Sequence, residues 1–199
     1  MQQYLHDGRQ LILASTSPYR RELLRRLTLE FLCEAPDVDE GRHAGETAEA
    51  AVRRLAQAKA RAVAARHRQA LVVGSDQLAE IDGEVLGKPG SESAAVSQLR
   101  RIAGRTVTFH TGLCVRDSGS GREQLDCVPY QVTLRPLSIS AIRRYVARER
   151  PLDCAGSFKS EGLGVSLFEC QRGTDPTALL GLPMIRLVAM LTLEGIELP

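Results

Sequence analysis

The chain has 199 residues, 43% of them hydrophobic and 25% charged, the balance of a globular protein whose core needs no disulfide or metal staples. A net charge of +2 with scattered Lys and Arg, four Tyr, four Phe and no Trp excludes a polybasic nucleic-acid binder and leaves little aromatic surface for stacking on single strands. No apolar run approaches the roughly 20 residues that span a bilayer, and Met1-Gln2-Gln3-Tyr4-Leu5-His6-Asp7 lacks the basic and apolar regions of a signal peptide. The expected setting is cytoplasmic, with no membrane and no nucleic-acid polymer as partner.

Residues 1–10 read as a loose polar leader and 11–199 as a single domain. Leu11 to Ala14 is a short apolar run suited to a buried strand. Ser17-Pro18 opens a helix, since Ser caps well and Pro is favoured at the first helical position, and Leu23, Leu24 and Leu27 form its apolar face. Phe31-Leu32-Cys33 predicts a second strand, and 35–41 an acidic loop. A long helix follows over 47–66, with Ala51, Leu55, Ala58 and Ala62 on one side. Leu71-Val72-Val73-Gly74 is another buried strand, predicted to end at Ser75-Asp76-Gln77.

Residues 81–86 predict a hairpin across Asp82-Gly83. A helix over 91–103 leads to two long strands, 106–115 and 127–134, joined by a Gly/Ser turn. A helix over 140–148, a Gly-rich stretch from Ala155 to Gly164, a strand near 165–168 and a final helix over 183–193 complete the chain. This alternation predicts a mixed α/β fold around a curved sheet. The last helix serves equally as core or as the interface of a homodimer. Five cysteines without a C-x-x-C pair argue against a zinc site and a disulfide framework, leaving small hydrophobes in a reducing compartment. Cys154, just before the Gly-rich stretch, is the one placed near candidate chemistry.

The first chemical signal is the strand-to-helix junction Ser15-Thr16-Ser17-Pro18-Tyr19-Arg20-Arg21. Cations are unfavourable at a helix N-terminus, and the conflict disappears if a phosphate docks on hydroxyls, free amides and a guanidinium there. An ordinary Ser cap followed by solvated arginines fits this segment equally well. Of the 26 Lys and Arg residues only Lys59, Lys88 and Lys159 are lysines. In so Arg-rich a chain, retained lysines mark places that need a compact ammonium able to titrate. Asp76 follows a buried strand, where ligands of open α/β sheets bind, and Glu40 closes the acidic loop. Such carboxylates can hold Mg²⁺ or Mn²⁺ against a triphosphate.

Taken together, Leu13 to Leu24, the Val38-Asp39-Glu40 turn, Gly74-Ser75-Asp76-Gln77, Gly87-Lys88-Pro89 and Gly181-Leu182-Pro183 resemble the Maf nucleotide pyrophosphatases over roughly residues 10 to 195. The resemblance implies an elongated α/β fold, a mixed curved sheet flanked by helices, related to the inosine-triphosphate pyrophosphatases. It also implies metal-dependent hydrolysis of a nucleoside triphosphate to the monophosphate and pyrophosphate, with Mg²⁺, Mn²⁺ or Co²⁺ as cofactor. Carried over by motif, Ser15, Ser17 and Arg20 bind phosphates. Asp76 as general base, Glu40, Lys59 and Lys88 form the catalytic cluster, with Glu40 and Asp76 as metal ligands.

Within that family, Cys154 to Gly162 resembles the 7-methyl-GTP branch more than the UTP/dTTP branch. Glu161 can accept from N1–H and the exocyclic amine of guanine, and Tyr19 offers a face to a cationic methylated purine. Gln77 joins them as a candidate for base selection, and Lys159 is a further candidate. The chain departs from the branch pattern in carrying Tyr19 where Trp is expected, and from the wider family in Thr28 where Gly is common. Three other readings stay open: the same chemistry on UTP, dTTP or modified nucleotides, a nucleotide-binding regulator of septum formation with incidental hydrolysis, and a simple anion-binding domain.

Overall fold

The computed structural model describes residues 5–198. In chain order its elements are β1 (Gln10–Leu13), α1 (Pro18–Arg25), β2 (Leu32–Cys33), α2 (Ala48–Ala64), β3 (Ala70–Ile81), β4 (Glu84–Leu86), α3 (Glu92–Ile102), β5 (Thr106–Asp117), β6 (Glu123–Leu134), α4 (Ile139–Glu149), β7 (Phe168–Gly173) and α5 (Met184–Leu193). Short 3₁₀ turns occupy Ala155–Ser157, Leu163–Leu167 and Pro176–Leu180. The strands form one seven-stranded sheet in the order β2-β1-β3-β5-β6-β7, with β4 paired to β3 off that path. β1 runs parallel to β2 and β3, and the other pairs are antiparallel. The expected mixed α/β fold is borne out.

Alternation along β1 decides which helix covers which face. Leu11 and Leu13 join Leu71, Val73, Leu113 and Val115 beneath α1 and α5, whereas Ile12, Ala14, Val72 and Cys114 face α2. The far ends of β3, β5 and β6 pack with α3 and α4 into another cluster around Ile81, Leu99, Phe109, Val132 and Ile142. The three twelve-residue strands thus run through both halves of the molecule.

The buried stripe of α2 is Val52, Leu55, Ala56, Lys59, Ala60 and Val63, while the expected Ala58 and Ala62 lie at its border. A Cβ on Gly74 would lie 2.2 Å from the Ala56 carbonyl oxygen, and one on Gly112 only 2.1 Å from that of Val52. Glycine at these neighbouring strand positions lets α2 lie nearly backbone-to-backbone on β3 and β5. That approach carries Lys59, otherwise an anomaly on a buried stripe, onto the sheet.

Several local expectations change. β3 does not end at Ser75 but runs on to Ile81, with Asp76 in mid-strand opposite Gly112. Polar side chains are tolerated there because each has a partner: the Ser75 hydroxyl donates to the carbonyls of Gly112 (2.8 Å) and Gly181 (3.0 Å), and Asp76 meets Lys59. Val165 to Leu167 lie in a 3₁₀ turn, and the strand starts only at Phe168. Of the stretch expected as a leader, residues 1–4 lie outside the described residues, while Leu5 is buried and Arg9 pairs with Asp117 at 2.8 Å. α5 buries Leu187, Met190 and Leu191 in the core, with Ile185 and Leu193 exposed. No helix among the described residues is long and apolar enough to cross a membrane.

Candidate active site

The cleft begins at the end of β1, where the chain leaves the sheet and enters α1. Ser17 has extended backbone and caps α1 as predicted, its Oγ accepting from the Arg20 amide at 3.4 Å, with Pro18 in the first turn. Buried Ser15 braces the turn by accepting from the Ser17 amide at 3.1 Å. Arg20 turns inward and donates through Nε to the Gly181 carbonyl at 2.7 Å, while Arg21 is exposed. Burial lowers the Arg20 pKa below the usual guanidinium value, partly opposed by the charges of Asp76 and Glu40.

Across from this junction, Lys59 is 4% exposed and its Nζ lies 2.6 Å from both Asp76 Oδ1 and Glu40 Oε1. One ammonium from α2 therefore bridges a mid-strand carboxylate and a loop carboxylate. Burial works against ionisation of Glu40, but Lys59 above all, then Arg20 and Lys88, holds its carboxyl below the ordinary range. Lys88 enters from the segment after β4.

The same cleft, about 580 Å³, contains Ser15, Ser17, Tyr19, Arg20, Glu40, Lys59, Asp76, Gln77, Lys88 and Glu161. Gln77 is tied down: its amide nitrogen donates to the carbonyls of Ala178 (2.6 Å) and Leu179 (3.2 Å). It therefore fixes the turn beside the cleft as well as lining it. Lys159 is the exception among the predicted residues. It does not line the cleft, and its Nζ sits 3.4 Å from the Glu149 carbonyl, because the loop folds back on α4.

That loop forms the other end of the cleft. Its backbone is pinned to α4 by the Lys159 amide on the Tyr145 hydroxyl (3.0 Å) and the Leu163 amide on Glu149 (2.7 Å). Phe158 is buried edge-to-face against Phe109 and Phe168, with ring centres 5.4 and 4.9 Å apart. Phe109, Phe158, Leu86 and Leu179 give this end apolar walls, and Tyr19, Asp153, Cys154 and Glu161 edge it. Burial, with the nearby Cys154, Asp153 and Glu161, pushes the Tyr19 hydroxyl up to about 12. Burial likewise pushes the Cys154 thiol up to about 12, and all five cysteines are free. Sequence reasoning missed Asp153, Arg42, Phe109 and Phe158 as cleft residues. Asp153 stands next to the singled-out Cys154, but only the fold-back on α4 brings it to the cleft.

Among the described residues no three His, Cys, Asp or Glu side chains converge to hold a metal ion. Glu40 and Asp76 supply two carboxylates, each with one oxygen on Lys59. Mg²⁺ is commonly held by one or two carboxylates together with substrate phosphates. The donor set fits a divalent ion on those terms, with substrate oxygens completing its shell.

The chain has the fold of an α/β protein represented by the Staphylococcus aureus Ham1 protein, with a TM-score of 0.50 at 15% identity over 92% of this chain and 98% of that one. It belongs to the Maf family: the family described as Maf-like protein matches residues 10–194. A Pseudomonas aeruginosa protein named 7-methyl-GTP pyrophosphatase is 59% identical over 95% of this chain and 98% of its own length. Proteins of the same name from Pseudomonas putida and Alcanivorax borkumensis are 55% and 50% identical, over 95% of this chain and 98% and 96% of theirs.

Proposed function

We propose that this Maf-family chain is a nucleoside triphosphate pyrophosphatase that hydrolyses 7-methyl-GTP to 7-methyl-GMP and pyrophosphate with the help of a divalent cation. The observation that carries this reading is the Glu40–Lys59–Asp76 bridge, set beside a helix N-terminus in a cleft whose other end is apolar and aromatic. The names of the relatives supply the substrate.

In this reading the triphosphate lies along the α1 junction, where free amides, Ser15, Ser17 and Arg20 meet its oxygens. Asp76 orients a water and takes its proton as the water oxygen bonds to the α-phosphorus. The bond from that phosphorus to the bridging oxygen breaks, and pyrophosphate leaves. Lys59, Lys88 and Arg20 neutralise the charge that develops on the leaving group. Mg²⁺, Mn²⁺ or Co²⁺, bound by Glu40 and Asp76 with phosphate oxygens, would polarise the phosphoryl group and add to that neutralisation. The base rests between Tyr19 and the apolar walls, with Glu161 accepting from the guanine N1–H and amine.

Hydrolysis in ¹⁸O-water tests the chemistry. Label is expected in 7-methyl-GMP and not in pyrophosphate. Asp76→Asn is expected to lower kcat about 10²- to 10⁴-fold, the range of a lost general base. Label in pyrophosphate, or full turnover by Asp76→Asn, contradicts the proposal.

A further inference from the structure

The two ends of the cleft carry opposite charge. Arg20, Lys59 and Lys88 all act on Glu40, so three cations face Glu40 and Asp76 at the phosphate end. At the base end the lining charges are Asp153 and Glu161. Their side-chain contacts are with Cys154 Sγ (3.5 Å from Asp153 Oδ1) and the Ser160 hydroxyl (3.3 Å from Glu161 Oε2), and among the described residues neither is in an ion pair. The neighbouring cation, Lys159, pairs with neither: its Nζ sits on the Glu149 carbonyl, from where its charge still reaches Cys154.

Guanine needs a single carboxylate to accept from its N1–H and amine, a task that Glu161 fulfils. A second carboxylate without an ion pair at the rim of an apolar pocket gives no advantage with a neutral base. It matters when the base itself is cationic, and N7-methylation makes it so. Both carboxylates line the same cleft as Tyr19, the ring on which the base would rest.

We propose that Asp153 is a specificity-determining residue that reads the positive charge of an N7-alkylated purine, while Glu161 reads the guanine edge common to methylated and unmethylated nucleotides. The inference rests on the proposed pyrophosphatase activity and divides its base recognition between two residues. Because Asp153 is exposed to the cleft, its attraction is a screened one and weakens as salt rises.

The experiment compares kcat/KM for 7-methyl-GTP and GTP in the wild type, Asp153→Asn, Asp153→Glu and Glu161→Gln. Asp153→Asn is expected to lower the ratio of the two about five- to tenfold, as expected for one partly screened unit charge a few ångströms away. Asp153→Glu restores the ratio; Asp153→Asn leaves kcat/KM for GTP unchanged, whereas Glu161→Gln, which removes the acceptor for the guanine edge, lowers it for GTP as well as for 7-methyl-GTP. The wild-type ratio falls between 50 mM and 500 mM salt, and less so in Asp153→Asn. A ratio unmoved by Asp153→Asn, or lost equally in Asp153→Glu, overturns the inference while leaving the pyrophosphatase reading intact. Absence of turnover by the wild type on both nucleotides overturns the reading itself, and the inference with it.

Discussion

At the phosphate end of the cleft, Lys59 is almost wholly buried and held against two carboxylates by a helix that lies backbone-to-backbone on the sheet. At the base end, Asp153 and Glu161 stand exposed on a loop whose anchors, Phe158 and the amides of Lys159 and Leu163, lie beside them in the chain. The first arrangement couples chemistry to folding: whatever moves α2 moves the ammonium. The second separates them, so that in the proposed reading base preference can change by substitution on a loop while the residues assigned to the phosphates stay in place.

The largest effect is expected where that coupling is tightest. Gly74→Ala sets a methyl group against the Ala56 carbonyl and forces α2 off β3. Overpacking of this kind costs about 3 kcal/mol, and a shift near 1 Å at a reacting group costs about 10²-fold in rate. Thermal melting and pyrophosphate release should therefore fall together. A variant with wild-type melting and turnover would break the link drawn between α2 packing and the site.

A smaller effect concerns the outer side of α2. Glu123 on β6 receives Arg61 (2.7 Å) and Gln57 (2.8 Å) from that helix as well as Arg116, and the Arg61 hydrogen bond above all pulls its carboxyl down to about 2. A carboxyl lowered in the folded state stabilises above its unfolded value, near 4.5, and that stability is lost as pH falls towards 2. Glu123→Gln should lower Tm at pH 7 by about 2–4 °C, the shift produced by roughly 1 kcal/mol in a chain of this size. The difference from wild type should shrink between about pH 5 and 2. A difference constant across that window would contradict the assignment.

The smallest effect lies at the far end of α1. Thr28 follows the helix with φ of 56°, a left-handed conformation that β-branched residues adopt at a cost. Thr28→Gly should raise Tm by about 1–3 °C without altering turnover, a change differential scanning can resolve. A lower Tm would mean that the Thr28 hydroxyl, 2.7 Å from the Leu27 carbonyl, outweighs the strain.

Features determined within a few residues were legible in the sequence. The Ser17-Pro18 cap formed as read, and Asp82 and Gly83 both take the positive φ of a tight hairpin turn. The residues that the fold gathers at one end of the cleft had been singled out because each departs from its surroundings: arginines at a helix start, lysines in an Arg-rich chain, a carboxylate after an apolar strand. What escaped depends on contacts distant in sequence. The polar triplet at Ser75 looked like a strand end because its partners, Gly112, Gly181, Thr111 and Lys59, come from elsewhere in the chain. Lys159 drew attention as one of three lysines, but the fold-back on α4 sends it to Glu149 and brings Asp153 to the cleft instead.

Pyrophosphate release from 7-methyl-GTP, GTP, UTP and dTTP, each with Mg²⁺ or Mn²⁺ and with Asp76→Asn as the blank, tests the account most directly. The two-ended cleft predicts turnover of 7-methyl-GTP well above GTP, little on UTP or dTTP, and a blank near background. Preference for UTP or dTTP would preserve the phosphate end and contradict the base end, and no turnover on any of the four would contradict both.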